Sequence, residues 1–307
     1  MKKAFVTGAS GFIGQALIKK LIMEGWSVVG LAKDKRKTKN LDIKGVRWIY
    51  GDIRDIKWHR FVKGCKVFVH LAGIHGYIKI PFAERLSVEL KGTENAIKAC
   101  KNAKVRHFVY VSTAYTHIST DYSKAKNIAK NFVKKEIERG FEATIVCPVV
   151  VYGPGNDTNF SRLYEVIKRN RFFFIGEGKN RWNLIYIDDL MNALILIIRN
   201  RKLSLGKIFI VSDKPVSVRK LVGIISKEMG VETSNLHLPL TPMMIIGFVF
   251  GIFSKLGISV PFTKDAIYNL ASSQSYQTSN LLYKLGFKQQ IDIGEGIAKT
   301  LNEKDSN

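Results

Sequence analysis

Short apolar runs rich in β-branched residues alternate with helical periodicities through the first 150 residues. Ala4-Phe5-Val6 is followed by an amphipathic stretch from Ile13 to Met23 and then by Ser27-Val28-Val29-Gly30-Leu31. Two further strands are predicted at Val46 to Tyr50 and at Val67-Phe68-Val69. A long helix over Phe82 to Ala103 precedes a strand at His107 to Val111, and a helix from Tyr122 to Arg139 precedes Ala143-Thr144-Ile145-Val146. Near-continuous apolar strands separated by helices belong to a parallel sheet covered on both faces. Right-handed crossovers make that a Rossmann-like, doubly wound α/β fold.

Beyond Pro148 the rhythm loosens, with Gly and Pro clustered at Tyr152-Gly153-Pro154-Gly155. The expected division is a Rossmann-like unit over residues 1–150, rejoined by segments at about 180–215, and a smaller ligand-binding part over 151–307. From Leu238 to Ser254 the chain carries no charge. Pro239 and Pro242 leave this stretch short of the roughly 20 apolar residues of a spanning helix. It is read first as a buried or pocket-lining helix, and second as a peripheral membrane contact through Met243 to Phe253.

Composition excludes some classes. Of 307 residues, 46% are apolar and 24% charged, which rules out wholesale disorder. The net charge of +24 favours anionic ligands: phosphorylated small molecules, nucleic acid or acidic lipid. No nucleic-acid recognition motif accompanies it, so a small-molecule substrate is expected and a specific nucleic-acid partner is not. Cys65, Cys100 and Cys147 are widely spaced and form no C-x-x-C pair, which points to a reducing cytoplasm. His75, His107 and His117 lack metal-ligand spacing, so no metal site is expected. The opening Met1-Lys2-Lys3 leads into too short an apolar run for a signal peptide.

Candidate chemistry begins at Thr7-Gly8-Ala9-Ser10-Gly11-Phe12-Ile13-Gly14, after the first strand and at the start of the first helix. Gly8 suits a tight turn, Gly11 a close approach of backbone to pyrophosphate, and Gly14 close helix–strand packing. The helix N-terminus offers amide N–H groups and partial positive charge to phosphates. The spacing resembles that of the extended short-chain dehydrogenases/reductases, the NAD-dependent epimerase/dehydratase family. The resemblance continues at Gly51-Asp52-Ile53, His70-Leu71-Ala72-Gly73, Gly92-Thr93-Glu94-Asn95, Val111-Ser112-Thr113 and Tyr122-Ser123-Lys124-Ala125-Lys126. It extends through Pro148 to Gly155 and Ile185 to Leu190, and ends at Lys284-Leu285-Gly286-Phe287.

The resemblance implies that a dinucleotide is held by Gly8, Ser10, Gly11, Phe12, Ile13, Gly14, Asp52, Ile53, Leu71, Ala72, Gly73, Asn95, Ser112, Tyr122, Lys126, Pro148 and Val150. The second predicted strand runs out at Ala32, where enzymes that bind NAD carry an acid for the ribose 2′-hydroxyl. Five of the seven residues from Lys33 to Lys39 are basic. NADP(H) is therefore preferred, with Lys33 among its ligands, and NAD(H) stays open through Asp34.

Tyr122 and Lys126 lie four apart on one helix face. A lysine ammonium favours the phenolate of a nearby tyrosine and suits it to proton transfer beside a hydride transfer. The family pattern implies that Thr113 hydrogen-bonds the substrate oxygen, and it makes Thr113, Tyr122 and Lys126 the catalytic set. Tyr164 and Lys168 repeat the spacing without that context. His70 is expected near the ribose, and Asp188-Asp189 as a helix cap.

For substrate the resemblance points first to a nucleotide sugar, with Thr113 on the sugar and Arg181 on the phosphates, as oxidoreductase or epimerase. No arginine follows Arg219, and Val150 stands where such relatives often carry asparagine; Lys255 or Lys264 are the substitutes. Those features favour the alternative, an apolar ketone or alcohol as in 3β-hydroxysteroid dehydrogenases and dihydroflavonol reductases. Ala114-Tyr115 disfavours 4,6-dehydratase chemistry. A catalytically silent dinucleotide-binding protein is the third reading. The family also implies a homodimer through long helices.

Overall fold

The first strand, β1 (Lys3–Thr7), is apolar on both faces, and Ala4, Phe5 and Val6 are wholly buried. That burial puts it at the centre of the sheet in a computed structural model. The structure describes residues 2–39, 41, 43–76, 78–115, 120–156, 159–233, 235–255 and 264–305. After β1 come α1 (Phe12–Met23), β2 (Ser27–Ala32), the single turn α2 (Arg36–Lys39) and β3 (Val46–Tyr50). A 3₁₀ turn over His59–Val62 leads to β4 (Val67–His70). The long helix expected next is α3 (Phe82–Leu86) and α4 (Gly92–Ala103), joined by a turn of π-helix over Ser87–Lys91. Then follow β5 (His107–Val111), α5 (Asp121–Glu138) and β6 (Ala143–Pro148).

The later chain is built of shorter pieces: β7 (Val150–Tyr152), α6 (Asn159–Lys168), β8 (Phe174–Ile175), β9 (Arg181–Trp182) and β10 (Leu184–Tyr186). Next come α7 (Ile187–Arg199), α8 (Arg201–Ser204), β11 (Ile208–Val211), β12 (Val216–Ser217), α9 (Val218–Glu228) and β13 (His237–Leu238). The chain closes with α10 (Leu240–Lys255), α11 (Lys264–Ala271), α12 (Asn280–Lys284) and α13 (Ile293–Asp305).

Seven strands form one parallel sheet in the order β11-β6-β5-β4-β1-β2-β3. The reversal of strand order beside β1 opens a crevice at the carboxyl ends of β1 and β4, which pair in register from Ala4↔Val67 to Thr7↔His70. One face is covered by α1 and α7, whose Leu17, Leu21, Leu194 and Ile197 are fully buried. The other is covered by α4 and α5, packing Ile97, Cys100 and Val133 against Phe5, Phe68 and Phe108. Strand β11 pairs with β6, so late sequence completes the main sheet, while β7 pairs with β10 apart from it.

Among the described residues, no helix is long and apolar enough to cross a membrane. On α10, Met243 is buried, whereas Ile245, Ile246, Phe248 and Val249 are exposed. The side chain of Phe253, at the end of the apolar stretch, lies outside the described residues, as do His117 and the side chains of Lys255 and Lys264. The three cysteines are buried and free, and no cluster of metal-ligating side chains occurs among the described residues.

Candidate active site

The chain leaves β1 through Gly8, whose φ of +64° is left-handed. A Cβ there would lie 2.8 Å from the backbone of Leu71 and Ala72, so the turn closes directly onto the end of β4. Thr7 supports this contact: its hydroxyl accepts from the N–H groups of Leu71 and Ala72, each at 3.2 Å. The N-cap of α1 is Gly11, with no side chain to cap the helix. The first-turn amides of Phe12, Ile13 and Gly14 therefore remain available to an anion.

These residues form one wall of a cavity of about 1570 Å³ running along the sheet edge. Leu71, Ala72, Gly73, Ser112, Pro148 and Val150 line it above the sheet, and Lys33, Asp52 and Ile53 line it near β2. Ser112 Oγ is buried and has no hydrogen-bond partner among the described residues. A glycine-walled channel with an uncapped helix end and an unpaired buried hydroxyl fits the phosphates and ribose of a dinucleotide.

Two of the expected ligands lie elsewhere. Asn95 is not on the cavity wall; its amide donates to the carbonyls of Ile53 (3.2 Å) and Arg54 (2.5 Å) and so braces the wall from behind. Arg181 is exposed and off the wall, its N–H on Ser273 Oγ at 3.1 Å and its carbonyl accepting from Gln274. His70 is likewise not on the cavity wall. It is buried between Thr7 (2.7 Å) and Thr93 (3.2 Å), and burial lowers its pKa to about 3, so it is a neutral structural group.

At the rim near β2, Lys33 Nζ pairs with Asp52 at 3.2 Å, and Asp52 also holds Arg54 at 2.7 Å. These partners keep the Asp52 carboxyl well below the usual range. Asp34, the candidate for a ribose hydroxyl, accepts from the Arg36 backbone and guanidinium instead.

Tyr122 and Lys126 project from the first two turns of α5. Thr120 caps that helix, accepting from the Ser123 N–H at 3.2 Å. Thr113, whose Oγ1 accepts from the Tyr115 N–H at 3.2 Å, and Tyr122 line the same cavity although only eight residues separate them. Tyr122, Lys126, Thr113 and Ser112 share one stretch of wall. Burial, the largest influence, raises the Tyr122 pKa; Lys126 and Thr113 act against that.

Two charged residues at this site were not expected. Arg85 is 3% exposed, sits 6.0 Å from the Tyr122 ring, and donates to the carbonyls of Ile74 (2.8 Å) and Ile78 (2.6 Å). Glu89, on the π turn, is 1% exposed and pairs with Lys126 Nζ at 3.0 Å. Their i, i+4 spacing is that of a solvated helix pair, and that is why the sequence hid them.

Tyr164 is buried against Phe160, and the spacing it shares with Lys168 belongs to packing. Asp189 is no cap. Its carboxylate accepts from the N–H groups of Gln290 and Ile291 and ties the C-terminal segment to α7. Asn183, unforeseen and wholly buried, donates to Ser212, Asp213 and Tyr276 and locks the β10 region onto the end of β11.

The fold and the glycine-lined channel are those expected of an extended short-chain dehydrogenase/reductase. Residues 4–212 match the model of the NAD dependent epimerase/dehydratase family, and the chain belongs to that family. It is 25% identical to a 2-alkyl-3-oxoalkanoate reductase of Stenotrophomonas maltophilia, over 97% of this chain and 98% of the relative. It is also 25% identical to a UDP-glucose 4-epimerase of Vibrio cholerae, over 97% and 94%. The crystallised MoeE5 in complex with UDP-glucose and NAD superposes with a TM-score of 0.78 at 20% identity, covering 99% of each chain.

Proposed function

We propose that this protein is an NADP(H)-preferring oxidoreductase interconverting a ketone and a secondary alcohol on a largely apolar substrate. The observation that carries the substrate class is the composition of the cavity beyond Tyr122. Its wall there carries Leu163, Phe172, Phe173, Phe174, Trp182 and Val218, with Asn156, Asn180 and Gln274 as the neutral polar side chains among them. Among the described residues, the cations on the wall are Lys33, Lys35, Arg36 and Lys37 at the β2 rim, Lys126 at the floor, and Arg171 at the outer end. A nucleotide sugar needs cations on its diphosphate, best supplied by a bidentate arginine. The residue expected in that role, Arg181, is off the wall. Apolar surface instead favours a hydrocarbon body with one oxygen near Tyr122.

The dinucleotide supplies or accepts the hydride. Thr113 hydrogen-bonds the reacting oxygen and Tyr122 Oη exchanges a proton with it. Lys126 supports the tyrosine electrostatically and reaches the cofactor ribose. The NADP(H) preference is supported by the β2 rim, where four cations on the wall face two carboxylates, Asp34 and Asp52, each already paired. A 2′-phosphate fits that excess, and no acidic side chain stands at Ala32 to take a 2′-hydroxyl.

The test is a panel of cyclic and long-chain ketones and of UDP-, GDP- and dTDP-sugars, with NADPH or NADH present. Turnover of apolar ketones with NADPH is expected. Thermal stabilisation and conversion by a nucleotide sugar, with no response to the ketones, would overturn the substrate class.

A further inference from the structure

Glu89 lies beneath the reacting tyrosine and belongs to none of the expected site residues. The π turn adds one residue to the helical register, so that Glu89 faces inward with Val88. Its Oε2 is 3.0 Å from Lys126 Nζ, and its Oε1 accepts the Ile74 N–H at 3.1 Å. Gly73 closes over the pair. A Cβ there would stand 2.6 Å from Glu89 Oε1 and 2.9 Å from Lys126 Nζ.

We propose that Glu89 is a positioning residue for proton transfer: by pairing with Lys126 it offsets that lysine's field, so that Tyr122 stays a phenol and donates its proton at neutral pH. This rests on the reading of Tyr122 as the proton-transferring group. It assigns the site to reduction. The carbonyl carbon gains the hydride as the reduced dinucleotide is oxidised, the carbonyl oxygen takes the Tyr122 proton, and the phenolate left behind regains a proton from water.

The argument is electrostatic. The Glu89 carboxylate stands 3.0 Å from the Lys126 ammonium and cancels much of its field at Tyr122. The same carboxylate adds negative charge near Tyr122, which opposes the phenolate. The groups around the pair leave that balance intact. On β5, Tyr110 has its ring 5.8 Å from Lys126 Nζ and is pushed by burial well above the usual phenol range. On β4, His70 is neutral, and past its end burial also lowers the pKa of His75. On β6, burial pushes the Cys147 thiol up to about 11. On α3, Arg85 is the remaining charge, spread over backbone carbonyls. Burial, first among the influences on Tyr122, works in the same direction as Glu89.

The experiment is a pH titration by NMR of protein carrying [¹³Cζ]-tyrosine, free and saturated with NADP⁺, with Tyr122→Phe used to assign the signal. In the wild type the Tyr122 resonance is expected to hold its phenol position to pH 9. In Glu89→Gln the midpoint is expected to fall by at least one pH unit. A wild-type phenolate below pH 8, or a Glu89→Gln midpoint equal to that of the wild type, overturns the proposal. The wild-type curve decides on its own if the variant does not fold. Turnover by Tyr122→Phe, by contrast, would remove the underlying reading while leaving the titration interpretable.

Discussion

Gly14 packs so tightly under Gly8 that a Cβ on Gly14 would lie 2.2 Å from the Gly8 carbonyl oxygen and 2.9 Å from Ala9 Cα. All of these neighbours are backbone atoms, which cannot turn aside as a side chain can. The third glycine of the motif thus fixes how closely α1 approaches the turn after β1. Gly14→Ala should cost at least about 1–3 kcal/mol, the usual range for overpacking a tight site. It should also weaken dinucleotide binding by moving the first-turn amides. Urea denaturation and NADPH fluorescence titration measure the two effects; wild-type values in both would contradict the assignment of Gly14 to this contact.

Tyr122→Phe removes only the hydroxyl and leaves the ring under Gly76, whose Cβ position is 3.3 Å from Tyr122 Cγ. The cavity wall therefore keeps its shape. Cofactor affinity should stay within about twofold, while turnover drops roughly 10²–10⁴-fold, the usual contribution of a positioned acid–base group. Fluorescence titration and steady-state assay on any substrate found in the panel separate the two.

Legibility in the sequence followed the range of the interaction. Six of the seven strands were readable because strands buried in a sheet are largely apolar, the seventh, β11, only as part of a late segment rejoining it, and the glycine motif because its geometry is set within eight residues. Tyr122 and Thr113 were readable through family pattern, and the structure places both on the wall of one cavity. Glu89 and Arg85 were not, since charged residues four apart on a helix carry no mark of burial; the π turn and the backbone of Gly73, Ile74, His75 and Ile78 enclose them. The Phe82–Ala103 stretch read as one regular helix because a π turn has no composition of its own. The contacts that hold Arg181, His70 and Asp189 were not readable for a related reason. Each partner is remote in sequence: Ser273 for Arg181, Thr7 for His70, Gln290 and Ile291 for Asp189.

The β2 rim gives a selectivity prediction. Lys33 is engaged by Asp52 and Arg36 by Asp34, so Lys35 and Lys37 are the wall cations outside those pairs. Replacing both with alanine removes charge-assisted contacts to a 2′-phosphate, worth roughly 1.5–3 kcal/mol each at most and less at an exposed rim. NADPH affinity should fall about tenfold and NADH affinity should change less than twofold. Equal weakening of both cofactors would place the lysines elsewhere than on the 2′-phosphate.

Two buried histidines should make stability fall with acid before the carboxylates titrate. His107 Nε2 is 2.8 Å from Thr144 Oγ1, and that hydroxyl donates to the Ser204 carbonyl, so it must accept from His107 Nε2–H. His107 Nδ1 then carries a lone pair with no partner among the described residues. Burial lowers the pKa of His107 to about 4 and that of His70 to about 3. An unfolded histidine titrates near 6.5. Below that pH the unfolded chain binds protons that the folded chain refuses, so stability drops as pH falls, by about 1.4 kcal/mol per pH unit for each histidine. The loss from His107 should level off near pH 4 and that from His70 near pH 3, where the folded forms protonate too. The window from pH 6.5 to 5 lies above the range of ordinary carboxylates and isolates the histidines. His107→Gln, able to donate to Thr144, should reduce the slope there by up to about 1.4 kcal/mol per pH unit in urea denaturation followed pH by pH. A wild-type curve flat across that window would show that neither imidazole is held neutral by its burial.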